Sequence, residues 1–137
     1  MNTNDFTMYV AIIAVAFFLI NNIYQKIAML RAKAKGAVYN KIDQDEAKTQ
    51  MDRDKSIVIL DVRTPNEFKS GHIKRAKNIS SPKEVAAKYP NKDTIFFVYC
   101  QSGSRSVKAA KKLVMKGYTQ VYDIGGLAYW KYGTTKK

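Results

Sequence analysis

An uncharged apolar segment near the N-terminus constrains what this chain can fold into. Residues Phe6 to Tyr24 read FTMYVAIIAVAFFLINNIY, and every residue from Tyr9 to Ile20 is apolar. A helix of roughly 20 apolar residues spans the hydrocarbon layer of a bilayer. A helix that is apolar on every face needs a larger protein around it to become a buried core helix. We therefore expect residues 1–30 to form a transmembrane anchor, with residues 6–24 in the lipid bilayer.

Basic residues follow this segment directly. Lys26, Arg31, Lys33 and Lys35 carry positive charge, and no acidic residue lies among them. Positive flanks stay on the cytoplasmic side of a membrane. We therefore expect a single-pass protein of the cell membrane whose following domain faces the cytoplasm. A secretory signal peptide would carry positive charge before its apolar run, but the only charge there is Asp5. The four cations can also rest on anionic lipid headgroups, so residues 31–37 are predicted to form a basic juxtamembrane tether.

The composition beyond the anchor is that of a globular chain with a strong positive charge. The 137 residues suffice for one compact domain plus an appendage, and their formal net charge of +13 indicates an anionic neighbour. The juxtamembrane cations account for part of this charge. Interleaved aromatic and basic residues of the kind that binds single strands are not evident elsewhere, so no nucleic-acid partner is predicted. One cysteine and one histidine exclude an intramolecular disulfide and a multi-cysteine zinc site, and no metal is predicted.

Strand-like and helix-like patterns alternate along the rest of the chain. Apolar β-branched runs predict buried strands at 56–62 and 94–99, and weaker strands are expected at 77–79 and 120–123. Helices are predicted at 43–51, 66–70, 82–88, 106–116 and 127–132, with Gly125 and Gly126 forming a turn. Asp43 is expected to cap its helix together with Glu46 in a capping box. This order predicts an α/β fold, in which helices flank both faces of a parallel sheet.

The single cysteine lies at the end of the second strong strand. Cys100 is followed by a small polar loop containing Gly103 and then by a predicted helix. Such a loop can turn several N–H groups toward one anion, with support from the helix dipole. A thiolate there would have a lowered pKa and a raised nucleophilicity, and Arg105 would add a fixed positive charge. A lone cysteine after an apolar strand is also commonly an inert core residue, so these features alone leave both interpretations open.

Three segments together resemble the rhodanese domain of the single-domain sulfurtransferases. They are DVRTPNEFKSGHI at Asp61–Ile73, VYCQSGSRS at Val98–Ser106 and IGGLAYW at Ile124–Trp130, in the family's order and spacing. The resemblance covers residues 38–133 and predicts a rhodanese-like domain there, followed by a basic tail at 134–137.

The resemblance implies an enzyme that works without a cofactor. Cys100 would take a sulfane sulfur from a donor such as thiosulfate, hold it as a persulfide, and pass it to cyanide or to an acceptor thiol on a small molecule or a protein. The substrate-binding cradle would be formed by the backbone of Gln101, Ser102, Gly103, Ser104 and Arg105.

Other matched positions are expected to support the site. Asp61 and Arg63 match a pair at the end of the family's second strand, and Glu67 matches an acidic position. His72 lies in the Gly-His-Ile turn, where a structural role is favoured over a catalytic one. The glycine pair 125–126 matches a double-glycine turn, and Trp130 a packing aromatic. The departures are Arg75 for a glycine, Ser80 for a frequent proline, and Gln101 for a frequent basic residue that would strengthen the local positive field.

Two alternatives to sulfur transfer remain at this point. The fold resembles the catalytic domain of cell-cycle dual-specificity phosphatases, so a phosphatase or an arsenate reductase is one of them. The phosphatase loop has seven residues and rings a tetrahedral anion, whereas Cys100 through Arg105 is six residues, a length suited to a single sulfur atom. The other alternative is a catalytically idle, membrane-tethered binding module.

Overall fold

The first element of the protein is a long N-terminal helix. The computed structural model describes residues 2–34 and 38–137, and helix α1 covers Thr3–Ala34. Its segment Asn4–Ile27 has a mean hydropathy of 2.0 and is long and apolar enough to cross a membrane, and none of it is buried. A signal sequence or the core helix of a soluble protein meets the same test of length and composition.

Helix α1 extends into the residues predicted as a tether. Helix-favouring alanine, leucine, arginine and lysine residues continue the helix to Ala34. Residues 35–37, which include the predicted headgroup contact Lys35, lie outside the described residues.

A parallel sheet of five strands organises the described part of the chain. The strands are β1 (Asn40–Lys41), β2 (Val58–Asp61), β3 (Lys77–Asn78), β4 (Ile95–Cys100) and β5 (Gln120–Gly126), in the order β1-β5-β4-β2-β3. The connecting helices are α2 (Gln44–Arg53), α3 (Pro65–Ser70), α4 (Pro82–Lys88) and α5 (Ser104–Met115), and a 3-10 turn at Leu127–Tyr129 follows β5. The predicted α/β fold is confirmed, and the strand that ends at Cys100 is its centre.

Alternation along β4 decides which side of the sheet carries the thiol. Phe96, Val98 and Cys100 join the apolar cluster beneath α4 and α5, whereas Phe97 and Tyr99 join the cluster beneath α2 and α3. All five residues are at most 1% exposed. Because β4 leads into α5 through a short loop, Cys100 lies beside the N-terminus of the helix that covers its own face.

Polar caps begin the connecting helices where the sequence predicts them. Asp43 accepts hydrogen bonds from two N–H groups in the first turn of α2, and Ser81 accepts one in α4. Thr64 and Glu67 form a reciprocal capping box at α3. The predicted capping box of α2 is only half present, because the Glu46 carboxylate accepts from the Gln50 side chain at 2.8 Å instead.

Several predicted boundaries differ from the structure. The last helix, predicted at 127–132, is a 3-10 turn that ends at Tyr129. Helix α5 begins at Ser104 and not at Ser106, because Gly103 is its N-cap with φ at 103°. Gly125 and Gly126 do not form a turn but lie in β5, where a register shift sets them opposite Tyr99 and Cys100. Strand β1 is missing from the prediction, since two residues are too few to show an alternating pattern.

Arg75 keeps a conformation usual for the glycine that it replaces. Its φ is 70°, and it is the one non-glycine residue with a positive φ in the described chain. The guanidinium donates to the carbonyl oxygens of Met51 at 2.9 Å and of Lys55 at 3.3 Å, at the end of α2. These contacts hold the residue in a conformation that costs an L-amino acid about 1–2 kcal/mol.

Candidate active site

The Cys100 thiol lies in a pocket of backbone N–H groups at the carboxyl end of β4. Its residue exposure is 0%, and its Sγ accepts a hydrogen bond from the Gly103 N–H at 3.0 Å. The left-handed φ of Gly103 turns the loop sharply enough to aim this N–H back at the sulfur. The cysteine is therefore both a buried core residue and the acceptor of a hydrogen bond from the loop that follows it.

Hydrogen bonds around the sulfur stabilise its charged form. Burial raises the pKa of Cys100, but the nearby backbone and hydroxyl of Ser106 and the N–H groups of Gly103 and Ser102 lower it by more. The pKa consequently lies below the ordinary thiol value. A lowered pKa increases the thiolate fraction available at neutral pH, as a nucleophilic cysteine requires.

Ser106 is a site residue that the sequence reasoning missed. It is fully buried in the first turn of α5, and its hydroxyl donates to the Gly103 carbonyl at 2.9 Å. The same hydroxyl lies near enough to the thiol to lower its pKa. Its position one residue after Arg105, on the face of α5 that packs on the sheet, is the sequence feature that could have identified it.

The predicted cradle residues surround the sulfur as one loop. Gln101, Ser102 and Ser104 are exposed, while Gly103 and Arg105 are partly buried. The Gln101 carbonyl accepts from the Ala128 N–H at 3.1 Å, and its side-chain Oε1 accepts from Arg63 at 3.2 Å. Both ends of Gln101 are therefore tied to the scaffold, which holds the first residue after the cysteine in place.

The guanidinium of Arg105, predicted from the sequence to add a fixed positive charge at the end of the loop, is paired with a carboxylate. Its two terminal nitrogens each donate to a carboxylate oxygen of Glu67 at 2.8 Å. This bidentate bond, together with the N–H of Thr64, holds the pKa of Glu67 well below its usual range. The pair fastens α3 to the first turn of α5 and reduces the positive field at the mouth of the loop.

A buried ion pair supports the loop from β2, as the sequence match indicates. Asp61 and Arg63 are 0% and 4% exposed, and their carboxylate and guanidinium are 2.7 Å apart. Arg63 also donates to the Gly71 carbonyl at 2.7 Å and to Gln101. The pair thus links the ends of β2, α3 and β4.

Gly126, in the glycine pair of β5, packs directly against the backbone of the loop. Gly126 lies opposite Cys100 in the sheet. A Cβ at Gly126 would stand 2.6 Å from the Gln101 carbonyl oxygen and 2.9 Å from two backbone atoms of Ser102. Only a residue without a side chain lets the loop backbone approach this strand so closely.

His72 has structural contacts, as favoured from the sequence. Its two ring nitrogens lie 2.8 Å from the Phe68 carbonyl oxygen and 3.1 Å from the Lys137 oxygen. The ring stacks on Phe68 with centroids 3.6 Å apart, and the His72 backbone pairs with Thr135. Trp130, the matched packing aromatic, is partly buried against the cluster beneath α2.

Two cavities adjoin the loop. One of about 380 Å³ is lined by Ser102, Gly103 and Tyr129 among others, and one of about 180 Å³ by Arg105 and Lys108. Cys100 lines neither cavity: the first touches the loop at Ser102 and Gly103, and the second at Arg105.

Known proteins match this chain over the same region. The Rhodanese-like domain family matches residues 43–132. The chain is 33% identical over 96 residues to thiosulfate sulfurtransferase GlpE of Coxiella burnetii, which covers 69% of this chain and 89% of GlpE. It is 39% identical over 74 residues to YqhL of Bacillus subtilis, covering 53% of this chain and 59% of YqhL.

A solved structure agrees with these matches. The crystal structure of a rhodanese-like domain protein from Staphylococcus aureus superposes with a TM-score of 0.60 at 32% identity, covering 72% of this chain and 98% of that one. The family match and the aligned relatives together show that this chain belongs to the rhodanese-like domain family.

Proposed function

We propose that the protein is a rhodanese-type sulfurtransferase in which Cys100 is the nucleophile. The observation that carries this proposal is the buried sulfur with the Gly103 N–H at 3.0 Å, in a loop of six residues from Cys100 to Arg105. Backbone N–H groups directed at one point stabilise a small anion. The bound group would be the outer sulfur of a persulfide.

The reaction needs no oxidant and no cofactor. The Cys100 thiolate attacks the outer sulfur of thiosulfate, the sulfur–sulfur bond of the donor breaks, and sulfite leaves with the bonding electron pair. The product is a persulfide whose terminal sulfur is anionic. An acceptor thiolate or cyanide then attacks that terminal sulfur and releases the Cys100 thiolate, which gives the two half-reactions of a ping-pong enzyme.

The Arg105–Glu67 pair favours sulfur transfer over phosphate or arsenate chemistry. An arginine that binds a tetrahedral oxyanion presents both arms of its guanidinium to that anion. Both terminal nitrogens of Arg105 donate to Glu67 instead. The loop then depends on backbone N–H groups, which suit a single sulfur atom.

Intact-protein mass spectrometry tests the proposal directly. Incubation with thiosulfate should add the mass of one sulfur atom, and cyanide should remove it as thiocyanate. Cys100→Ser should gain nothing. An unaltered protein that gains no sulfur from a panel of donors would be the idle binding module. Robust hydrolysis of aryl phosphates would reverse the assignment, whereas we expect such activity, if any, only after insertion of one residue between Gly103 and Arg105.

We also propose that α1 anchors the protein, with the N-terminus outside and the catalytic domain in the cytoplasm. The support is the apolar segment Asn4–Ile27 and the basic residues Lys26 and Arg31 at its C-terminal end. The test uses exposed positions on either side of the apolar segment. In a Cys100→Ser background, a membrane-impermeant thiol reagent should label Asn2→Cys but not Lys69→Cys in intact cells. The opposite pattern would invert the topology.

A further inference from the structure

A groove of about 710 Å³ runs between α1 and the C-terminal half of α5. We call it the α1–α5 groove, and the residues that matter here are Leu19, Ile23, Lys26, Lys112, Met115 and Lys116. It lies at the opposite end of α5 from the Cys100 loop. The sulfur-transfer site therefore does not account for it.

The apolar side chains of the groove face solvent. Leu19 is 54% exposed, Ile23 57% and Met115 60%. They come from two helices and face one another across an open cleft. Such paired apolar walls favour an occupant with a hydrocarbon part.

The charged side chains of the groove are all positive. Lys26 comes from α1, and Lys112 and Lys116 lie one turn apart on α5. None of them pairs with a carboxylate of the described chain. Three unpaired cations on one rim attract an anion of more than one charge or of high local charge density.

The groove lies beside the C-terminal end of the apolar segment. Ile23 and Lys26 lie within the last five residues of the Asn4–Ile27 stretch, where the hydrocarbon layer would give way to headgroups. An occupant here would meet acyl chains on one side and water on the other. Basic pockets beside membrane helices on the cytoplasmic side bind acidic lipid headgroups.

We propose that the α1–α5 groove binds one anionic phospholipid. Its phosphate lies between Lys26, Lys112 and Lys116, and an acyl chain lies along Ile23 and Met115. The bound lipid would fix α5 beside the membrane and thereby set the distance of the Cys100 loop from the bilayer. This inference rests on the anchor proposed above, but not on the sulfur chemistry.

Native mass spectrometry of the full chain in detergent micelles tests the groove. Phosphatidylglycerol should form an adduct of one lipid per chain, and phosphatidylcholine with the same acyl chains should bind far more weakly. Lys112→Ala with Lys116→Ala should weaken phosphatidylglycerol binding roughly 30-fold, given the usual contribution of each lysine to anionic-lipid binding. Lys69→Ala with Lys74→Ala removes the same charge on the side of the sheet that α5 does not cover, and should leave the affinity unchanged.

Several outcomes would overturn the proposal. Equal binding of the two lipids would do so, as would equal effects of the two double variants. A dimer that forms without lipid and is lost in Met115→Glu would make the groove a contact between copies of the chain. The anchor is tested separately, by carbonate-resistant partition into phosphatidylcholine vesicles. If the protein does not partition into vesicles, the anchor is wrong, and lipid binding in detergent micelles still shows whether the groove binds phosphatidylglycerol.

Discussion

Replacing Gly126 with alanine adds one methyl group directly against the backbone that follows Cys100. The residue has φ at −109°, a conformation that alanine adopts without strain, so the effect of the substitution is steric. The new Cβ would stand 2.6 Å from the Gln101 carbonyl oxygen, a distance that Cβ atoms essentially never show. Since the opposing atoms belong to backbone, no flexible side chain can yield, and the loop itself must move.

The size of that movement determines the expected losses of stability and of the rate of persulfide formation. The Gln101 carbonyl must retreat by at least roughly 0.8 Å to reach an ordinary contact distance, and it then strains its bond to the Ala128 N–H. Overpacking of this kind costs about 1–3 kcal/mol of stability. The same shift draws the Gly103 N–H away from Sγ, and a hydrogen bond to a charged group contributes about 1.5–3 kcal/mol. We therefore expect persulfide formation to slow by about one to two orders of magnitude.

Rates of sulfur loading from thiosulfate, followed by intact-protein mass spectrometry, measure this loss, and urea denaturation measures stability. Gly133→Ala is the matched control, because nothing lies within 4 Å of its added Cβ although its φ is 79°. That control should lose stability but load sulfur at the normal rate. If Gly126→Ala loads sulfur as fast as the unaltered protein, the close approach of β5 does not position the loop and the reasoning is wrong.

Three further substitutions test the electrostatics and the backbone. Ser106→Ala should raise the pH at which iodoacetamide alkylation of Cys100 reaches half its maximum, because it removes a hydroxyl that helps to lower the thiol pKa; an unmoved midpoint would contradict this. In the unaltered protein the thiol pKa is lower in the folded state than its ordinary value of 9.0, so the thiolate contributes to the free energy of unfolding. This contribution is fully present above pH 9.0 and is lost as the pH falls through the folded-state pKa. Glu67→Gln should change stability by no more than about 1 kcal/mol, since the pair is partly exposed, but should lower the KM for thiosulfate at low salt by freeing Arg105; an unchanged KM would argue against it. Arg75→Gly should be more stable to urea than Arg75→Ala by about 1 kcal/mol, because both lose the contacts to α2 and only alanine keeps the left-handed strain; the reverse order would exclude that strain.

The parts of the fold that are local in sequence could be predicted. Strand β4 is a continuous apolar run, and α4 has a serine cap, a proline in its first turn and the predicted bounds Pro82–Lys88. Strand β1 could not be predicted, because its two residues are strand only through pairing with Tyr122 and Asp123. The place of Gly125 and Gly126 in β5 also depends on residues distant in sequence, so it could not be predicted either. A glycine pair alone favours a turn, and only the approach of the Cys100 loop explains why β5 carries it.

The same distinction holds within the site. Cys100, the loop and the helix after it are contiguous, so their arrangement follows from one stretch of sequence. The Arg105–Glu67 bond joins residues 38 positions apart. Sequence assigned a charge to each residue but could not show that these charges meet. The field at the loop is therefore weaker than the residue types alone suggest, and Gln101 in place of a basic residue weakens it further.

Burial of the thiol and its reactivity have one cause. The alternation of β4 directs Cys100 toward α5, so the side chain must enter the apolar cluster on that face. The chain then has to turn over the sulfur to begin α5, and this turn brings the N–H of Gly103 to 3.0 Å from Sγ. The groups that lower the thiol pKa, Ser102, Gly103 and Ser106, all belong to the loop and to the first turn of α5. A persulfide on Cys100 would therefore extend from the apolar cluster toward these groups.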